Sequence, residues 1–111
     1  MNKDMIALSI RQPYAELIIR GDKKIEYRRR ATIKRERVYI FASHAPAQEK
    51  AFAKLGLQPG DLPRGVLIGT AEIVDCKEAQ SVFEWHLARP ERLEKPVKPR
   101  RTPQPVWFHP F

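Results

Sequence analysis

A helix-stopping glycine followed at once by an alternating charged run constrains this chain more than any other feature: Gly21-Asp22-Lys23-Lys24-Ile25-Glu26-Tyr27-Arg28. Pro13 to Arg20 leads into it with helical character. Pro13 suits a first turn, and Tyr14, Leu17, Ile18 and Gly21 recur at i, i+3, i+4 and i+7, predicting one buried stripe. Glycine after such a segment can take the left-handed conformation that ends a helix. Lys24 to Arg29 then alternates Ile25 and Tyr27 against Glu26 and Arg28, the pattern of a half-buried strand with Tyr27 on the core side. The spacing G-x-K-x-x-E-x-R thus brings Lys23 to the turn and sets Glu26 and Arg28 on one strand face. A cation, an acid and a second cation gathered so closely form a site for an anionic or polar partner. A solvated, salt-bridged strand would carry the same residues.

The rest of the chain reads as short strands and helices with tight punctuation. Met5 to Ile10 is a first strand. Ala31 to Arg37 is a basic connection, and Val38 to Ser43 is a continuous β-prone run expected at the centre of a sheet. Pro46 to Leu55 is predicted helical, with Phe52 and Leu55 inward and Gly56 as its stop. The turn-rich segment 58–65 leads to a long strand over Val66 to Val74, where Gly69 marks a bend, a bulge or a close backbone approach. Ser81 to Leu87 is read as a short helix with Val82, Phe83 and Leu87 inward. Beyond it Pro90, Pro96, Pro99, Pro103, Pro105 and Pro110 predict an extended edge strand or an ordered wrap, not a central strand. The mixture predicts an α+β fold on a curved sheet or barrel.

A chain of 111 residues can bury one core, so one domain over 1–111 is expected, with a proline-rich C-terminal segment from about residue 90. No apolar run approaches the roughly 20 residues of a membrane helix. The N-terminal stretch lacks a signal-peptide pattern, because Arg11 interrupts Ala7 to Ile10. The single Cys76 cannot form an internal disulfide and is expected to pack as a small hydrophobe. A cytoplasmic, monomeric protein is the expectation. The net charge of +8 favours polyanionic partners. Its cations concentrate between Lys23 and Arg37 and again between Lys95 and Arg101, which would form one charged face if folding joins them, or else keep a small protein soluble.

Three stretches give the chain a family resemblance. Leu8-Ser9-Ile10-Arg11-Gln12-Pro13-Tyr14-Ala15-Glu16-Leu17-Ile18 is similar to the opening strand and helix of ASCH domains, a branch of the PUA-like superfamily. Gly21 to Arg28 matches their G-x-K-x-x-E-x-R pattern at every specified position. Glu84-Trp85-His86-Leu87, followed by Pro90 and Pro96, resembles their late segment. The resemblance runs from about Met5 to Trp107, although Arg100 to Trp107 lacks the glycine-containing turn of many relatives. It implies a barrel-like curved sheet with short flanking helices, and a cleft over the signature that binds RNA or a nucleotide-like ligand. It also implies a hydrolytic alternative, since one subgroup removes the acetyl group of N4-acetylcytidine and ribonuclease activity has been proposed for another.

For RNA binding, the candidate residues are Gln12, Tyr14, Lys23, Lys24, Glu26, Arg28, Arg29, Arg30, Ser43, His44 and Trp85. Lys and Arg can meet phosphates, aromatic rings can stack on unpaired bases, and the Gln12 amide could read a base edge or simply join the helix start. For catalysis, Lys23 and Glu26 form the one strong pair. The position matching Glu26 is a threonine nucleophile in the acetylcytidine-hydrolysing subgroup, a hydroxyl this chain lacks. Glu26 would instead activate water, with Lys23 or Arg28 stabilising an oxyanion. Scattered histidines and a lone cysteine predict no metal site, and the absence of a glycine-rich phosphate loop predicts no nucleotide cofactor of that kind.

Overall fold

The apolar run around Ile40 becomes the middle of the molecule because both of its faces are covered. In the computed structural model, which describes residues 2–111, it forms β3 (Arg37–Ala42). β3 pairs in parallel with β1 (Ala7–Ile10) and antiparallel with β4 (Val66–Ala79). Beyond β4 lie β5 (Val82–Val97) and β2 (Ile25–Arg28), and beyond β1 lies β6 (Trp107–Phe108). The sheet is six-stranded and mixed, in the order β2-β5-β4-β3-β1-β6. Leu8, Ile10, Val38, Ile40 and Ala42 pack on one face with Ile18 and Ile19 of helix α1 (Tyr14–Arg20). Ala7, Tyr39 and Phe41 pack on the other with Leu67 and Phe108. A strand covered on both sides reads as unbroken hydrophobicity, and burying each Val, Leu, Ile or Phe side chain there contributes about 1.5–3 kcal/mol.

Helix α1 ends where the sequence says it should. Gly21 adopts φ +84°, its N–H donates to Ile18, and the N–H of Asp22 donates to Leu17. The buried stripe is turned by one residue from the expected one, however. Ala15, Ile18 and Ile19 face the sheet, while Tyr14 is 39% exposed. Glu16 fixes that rotation, because Arg92 of β5 donates to both carboxylate oxygens at 2.9 and 2.7 Å and Arg20 Nε adds a bond of 2.7 Å. Burial pushes the Glu16 carboxyl up, but the hydrogen bonds and charges of Arg92 and Arg20 outweigh it and hold the group below the usual carboxylate range. Gly69 lets α1 sit close, since a Cβ there would collide with the Glu91 carbonyl and the Ile19 side chain.

Several expectations are corrected. Within the predicted helix 81–87, Val82 to Leu87 is strand: Gln80 and Ser81 turn between paired Ala79 and Val82, and Trp85 and Leu87 are buried two residues apart. Phe83 and Leu87 fit a helical spacing, yet with Trp85 they fit a strand better. Pro90 and Pro96 lie within β5 itself, an interior strand of the sheet. They are tolerated because β2 pairs only with Phe83 to His86, and because the β4 ladder shifts register between Thr70 and Glu72 and between Leu67 and Gly69. The second helix, α2 (Glu49–Ala53), is shorter than predicted. It buries Phe52 but leaves Leu55 39% exposed.

The sheet curls without closing. No backbone ladder joins its two ends in the strand order, but side chains reach across. Arg28 Nη2 of β2 donates to the Ser9 carbonyl of β1 at 2.8 Å. Trp85 of β5 stacks on Trp107 of β6 with ring centroids 5.4 Å apart and planes 8° from parallel. Barrel-like curvature therefore rests on an arginine and an indole pair. Among the described residues, no helix is long and apolar enough to cross a membrane.

Candidate functional site

The charged face of β2 points into the curl of the sheet, and Tyr27 points out. Glu26 and Arg28 side chains are 13% and 20% exposed, whereas Tyr27 is 54% exposed, the reverse of the orientation expected from its apolar ring. Alternation determines which residues share a face; the ion pairs determine which face goes in. Glu26 Oε2 accepts from Arg28 Nε at 3.0 Å and lies 2.8 Å from Arg28 Nη2. Its Oε1 lies 3.6 Å from Lys23 Nζ, which itself donates to the Ile25 carbonyl at 2.6 Å. Arg28 is thus held from two sides, by Glu26 and by Ser9.

Above this clamp lies a cleft of about 860 Å³. Tyr14 and Arg11 line it from the start of α1, Glu26 to Arg29 from β2, and Ser43 and His44 from the end of β3. The far wall is Pro103-Gln104-Pro105, tied to β1 by Ser9, whose Oγ donates to the Gln104 carbonyl and whose N–H donates to Val106, both at 2.9 Å. Lys23 Nζ stands 5.6 Å from the Tyr14 ring centroid and 5.3 Å from that of Tyr27, so one ammonium braces both exposed tyrosines. Arg11 and Arg29 are exposed on the rim. Among the described residues, no carboxylate lies within ion-pair range of Arg11, Arg29 or Arg30.

The predicted site residues separate into groups. Tyr14, Glu26, Arg28, Arg29, Ser43 and His44 share the cleft. Arg30 and Trp85 line an adjoining groove, to which Arg28 and Arg29 also belong. Lys23 and Lys24 instead border a smaller apolar pocket of about 240 Å³ beside the end of α1. Gln12 is fully buried: its amide donates to the Pro63 carbonyl at 3.0 Å and accepts from the Glu16 N–H at 2.9 Å, so it orders the helix start. Ser43 Oγ donates to Ala45, not to His44, and the His44 ring lies edge-on to Phe41 and against Gly65. These contacts hold a wall; they do not align a nucleophile with a base. Cys76 is free and packs against the main core.

Sequence reasoning missed Ser9, Arg11 and the segment Pro103 to Pro105. Arg11 could have been suspected from its position beside the Gln-Pro-Tyr helix start. The C-terminal wall has no local signal, because the pairing of β6 with β1 and the bonds from Ser9 to Gln104 and Val106 bring it there.

Comparison with known proteins agrees with this architecture. A crystal structure of ASCH from Zymomonas mobilis superposes with a TM-score of 0.65 at 14% identity, covering 97% of this chain and 88% of that one. A single-substitution variant of the same protein gives 0.65 at 15% identity, with 95% and 88% covered. Human activating signal cointegrator 1 is 31% identical over 80 residues, 62% of this chain and 14% of the relative. The mouse protein of the same name is 31% identical over 90 residues, 68% of this chain and 16% of the relative. The chain therefore spans only about one-sixth or less of the curated relatives it matches. The ASCH domain profile matches residues 8–101, and the chain belongs to the ASCH domain family.

Proposed function

We propose that the cleft binds single-stranded RNA or a single nucleotide unit of it, with a base against Tyr14 and phosphates on Arg11 and Arg29. The observation that carries this reading is the meeting of the exposed Tyr14 with rim arginines that have no acidic partner among the described residues, around a cleft of about 860 Å³. That volume falls within the roughly 300–1,000 Å³ typical of small-ligand sites. Exposed aromatic rings suit unpaired bases, whose faces are available; a duplex keeps its bases stacked inside. Lys23, Glu26 and Arg28 hold the floor rigid, and rigidity lowers the ordering cost of binding.

Hydrolysis of an acylated nucleoside or of RNA is the second reading, favoured by the Glu26 carboxylate lying on the cleft floor beside a guanidinium. It requires Glu26 to release Arg28 far enough to activate water. One titration separates the two. Fluorescence anisotropy should show single-stranded RNA bound more tightly than a duplex of equal length, with Tyr14→Ala and Arg29→Ala each weakening the complex. Equal affinity for both RNA forms, or insensitivity to both substitutions, contradicts binding in this cleft. Product formed from N4-acetylcytidine or RNA by the parent chain but not by Glu26→Gln would favour hydrolysis.

A further inference from the structure

A second groove of about 620 Å³ continues from the cleft, sharing Arg28, Arg29 and Pro105 with it. Its remaining lining is Arg30, Ala31, Trp85, Val106 and Trp107, so the groove combines arginine with indole and aliphatic surface. Both tryptophans of the chain are here, and neither lines the main cleft. Trp85 is nearly buried and its Nε1 donates to the Arg30 carbonyl at 2.9 Å, which fixes the backbone from which Arg30 projects. Trp107 is only half-buried, stacked on Trp85, with the Lys34 ammonium 5.5 Å from its ring centroid. An ammonium over the one face of the Trp107 ring not covered by Trp85 is a weak contact compared with a nucleobase stacked on indole, so a base can displace Lys34. The Lys34 ammonium already has the Glu36 carboxylate 3.9 Å away, so Arg29 and Arg30, not Lys34, are left to meet a phosphate.

We propose that this groove takes the nucleotide next to the one in the main cleft, its base on Trp107 and its phosphate on Arg29 and Arg30. The preferred ligand is then a single strand of at least two nucleotides, crossing between the grooves over Arg28 and Pro105. Each groove has the volume for one small ligand, and their shared wall makes the path continuous. This inference rests on the binding function proposed above and adds a second subsite to it.

Titrate the full chain with uridine monophosphate, then with uridine oligonucleotides of increasing length, following tryptophan emission and affinity together. The mononucleotide should bind with little change in emission, because the main cleft holds no tryptophan. Di- and trinucleotides should bind about 5- to 150-fold more tightly, the gain expected from one stacked base, and should change the emission. Arg30→Ala, an exposed position that leaves the fold intact, should reduce that length-dependent gain and make the salt dependence shallower by about 0.7 in log–log slope. Affinity independent of length, with emission unchanged and Arg30→Ala matching the parent, overturns the second subsite while leaving the main cleft standing. Failure of every ligand, mononucleotide included, overturns both.

Discussion

Arg28 and Arg29 follow one another on the cleft, but the first is tied to Glu26 and the Ser9 carbonyl while the second is exposed without an acidic partner among the described residues. The same contrast divides the whole site into a clamped floor of Glu26 and Arg28, braced by Lys23 from outside the cleft, and an open rim of Arg11, Arg29 and Arg30. Floor charges are paired inside the chain, two cations on one carboxylate, so their effect is to hold β2 against β1 and to fix the curl of the sheet. Rim charges have no acidic partner among the described residues, so their effect falls on whatever approaches from solvent. Motif residues and the proposed binding residues are therefore only partly the same.

The largest expected effect comes from breaking the floor. Glu26→Ala leaves two cations facing each other in a largely buried setting, and should lower stability by about 3 kcal/mol. A drop of more than about 10 °C in Tm, measured by circular dichroism, is the expected outcome. A variant as stable as the parent would show that the clamp is decoration.

Next is the anchor that orients α1, and with it Tyr14. Glu16→Gln should cost about 2 kcal/mol near neutral pH, through loss of the charge-assisted bonds from Arg92 and Arg20. Because the Glu16 carboxyl titrates below its ordinary value in the folded chain, its contribution is present above the unfolded value, about 4.3, and is lost as pH falls through the lower folded value. Urea midpoints measured from neutral to about pH 3 should therefore converge for parent and Glu16→Gln at the acid end. Midpoints that stay equally separated across that range would remove Glu16 from the acid response.

How far the sequence reveals this arrangement depends on whether a residue's neighbours are local. Gly21 and β3 are legible because a helix stop and a doubly covered strand are written in adjacent residues. Gly69 is legible as an exception in a strand, and a close approach by Glu91 and Ile19 is what it permits. Tyr27 misleads because period two cannot say which face is inside. That is decided by Ser9, far away in sequence, receiving the Arg28 guanidinium. Leu87 misleads because Phe83 four residues earlier imitates a helix, while Trp85 between them pairs with Cys76 of β4. Six of the predicted site residues meet at the main cleft, yet its far wall depends on a C-terminal segment whose place is set by β6.

Smaller effects should come from the rim and the wall. Arg29→Ala should change stability by less than about 0.5 kcal/mol, as expected of an exposed side chain without a specific partner. Yet it should weaken RNA binding several-fold across sequences, with a salt slope shallower by about 0.7. Loss of stability without loss of affinity would reverse the division between floor and rim. Ser9→Ala removes only the Oγ bond to Gln104 and should cost about 1 kcal/mol or less, since the Ser9 N–H still holds Val106. Hydrogen exchange should quicken around 103–105 while the core stays protected, and an unchanged pattern there would show that the wall does not need this bond.

The most direct test of the central claim is the salt dependence of single-stranded RNA affinity for the intact chain. With three rim arginines each neutralising one phosphate, log affinity should fall against log salt with a slope near −2, at about 0.7 per contact, a loss of roughly tenfold or more between about 50 and 200 mM. A flat dependence, or no complex at micromolar protein, would contradict the proposed binding of RNA through the rim arginines.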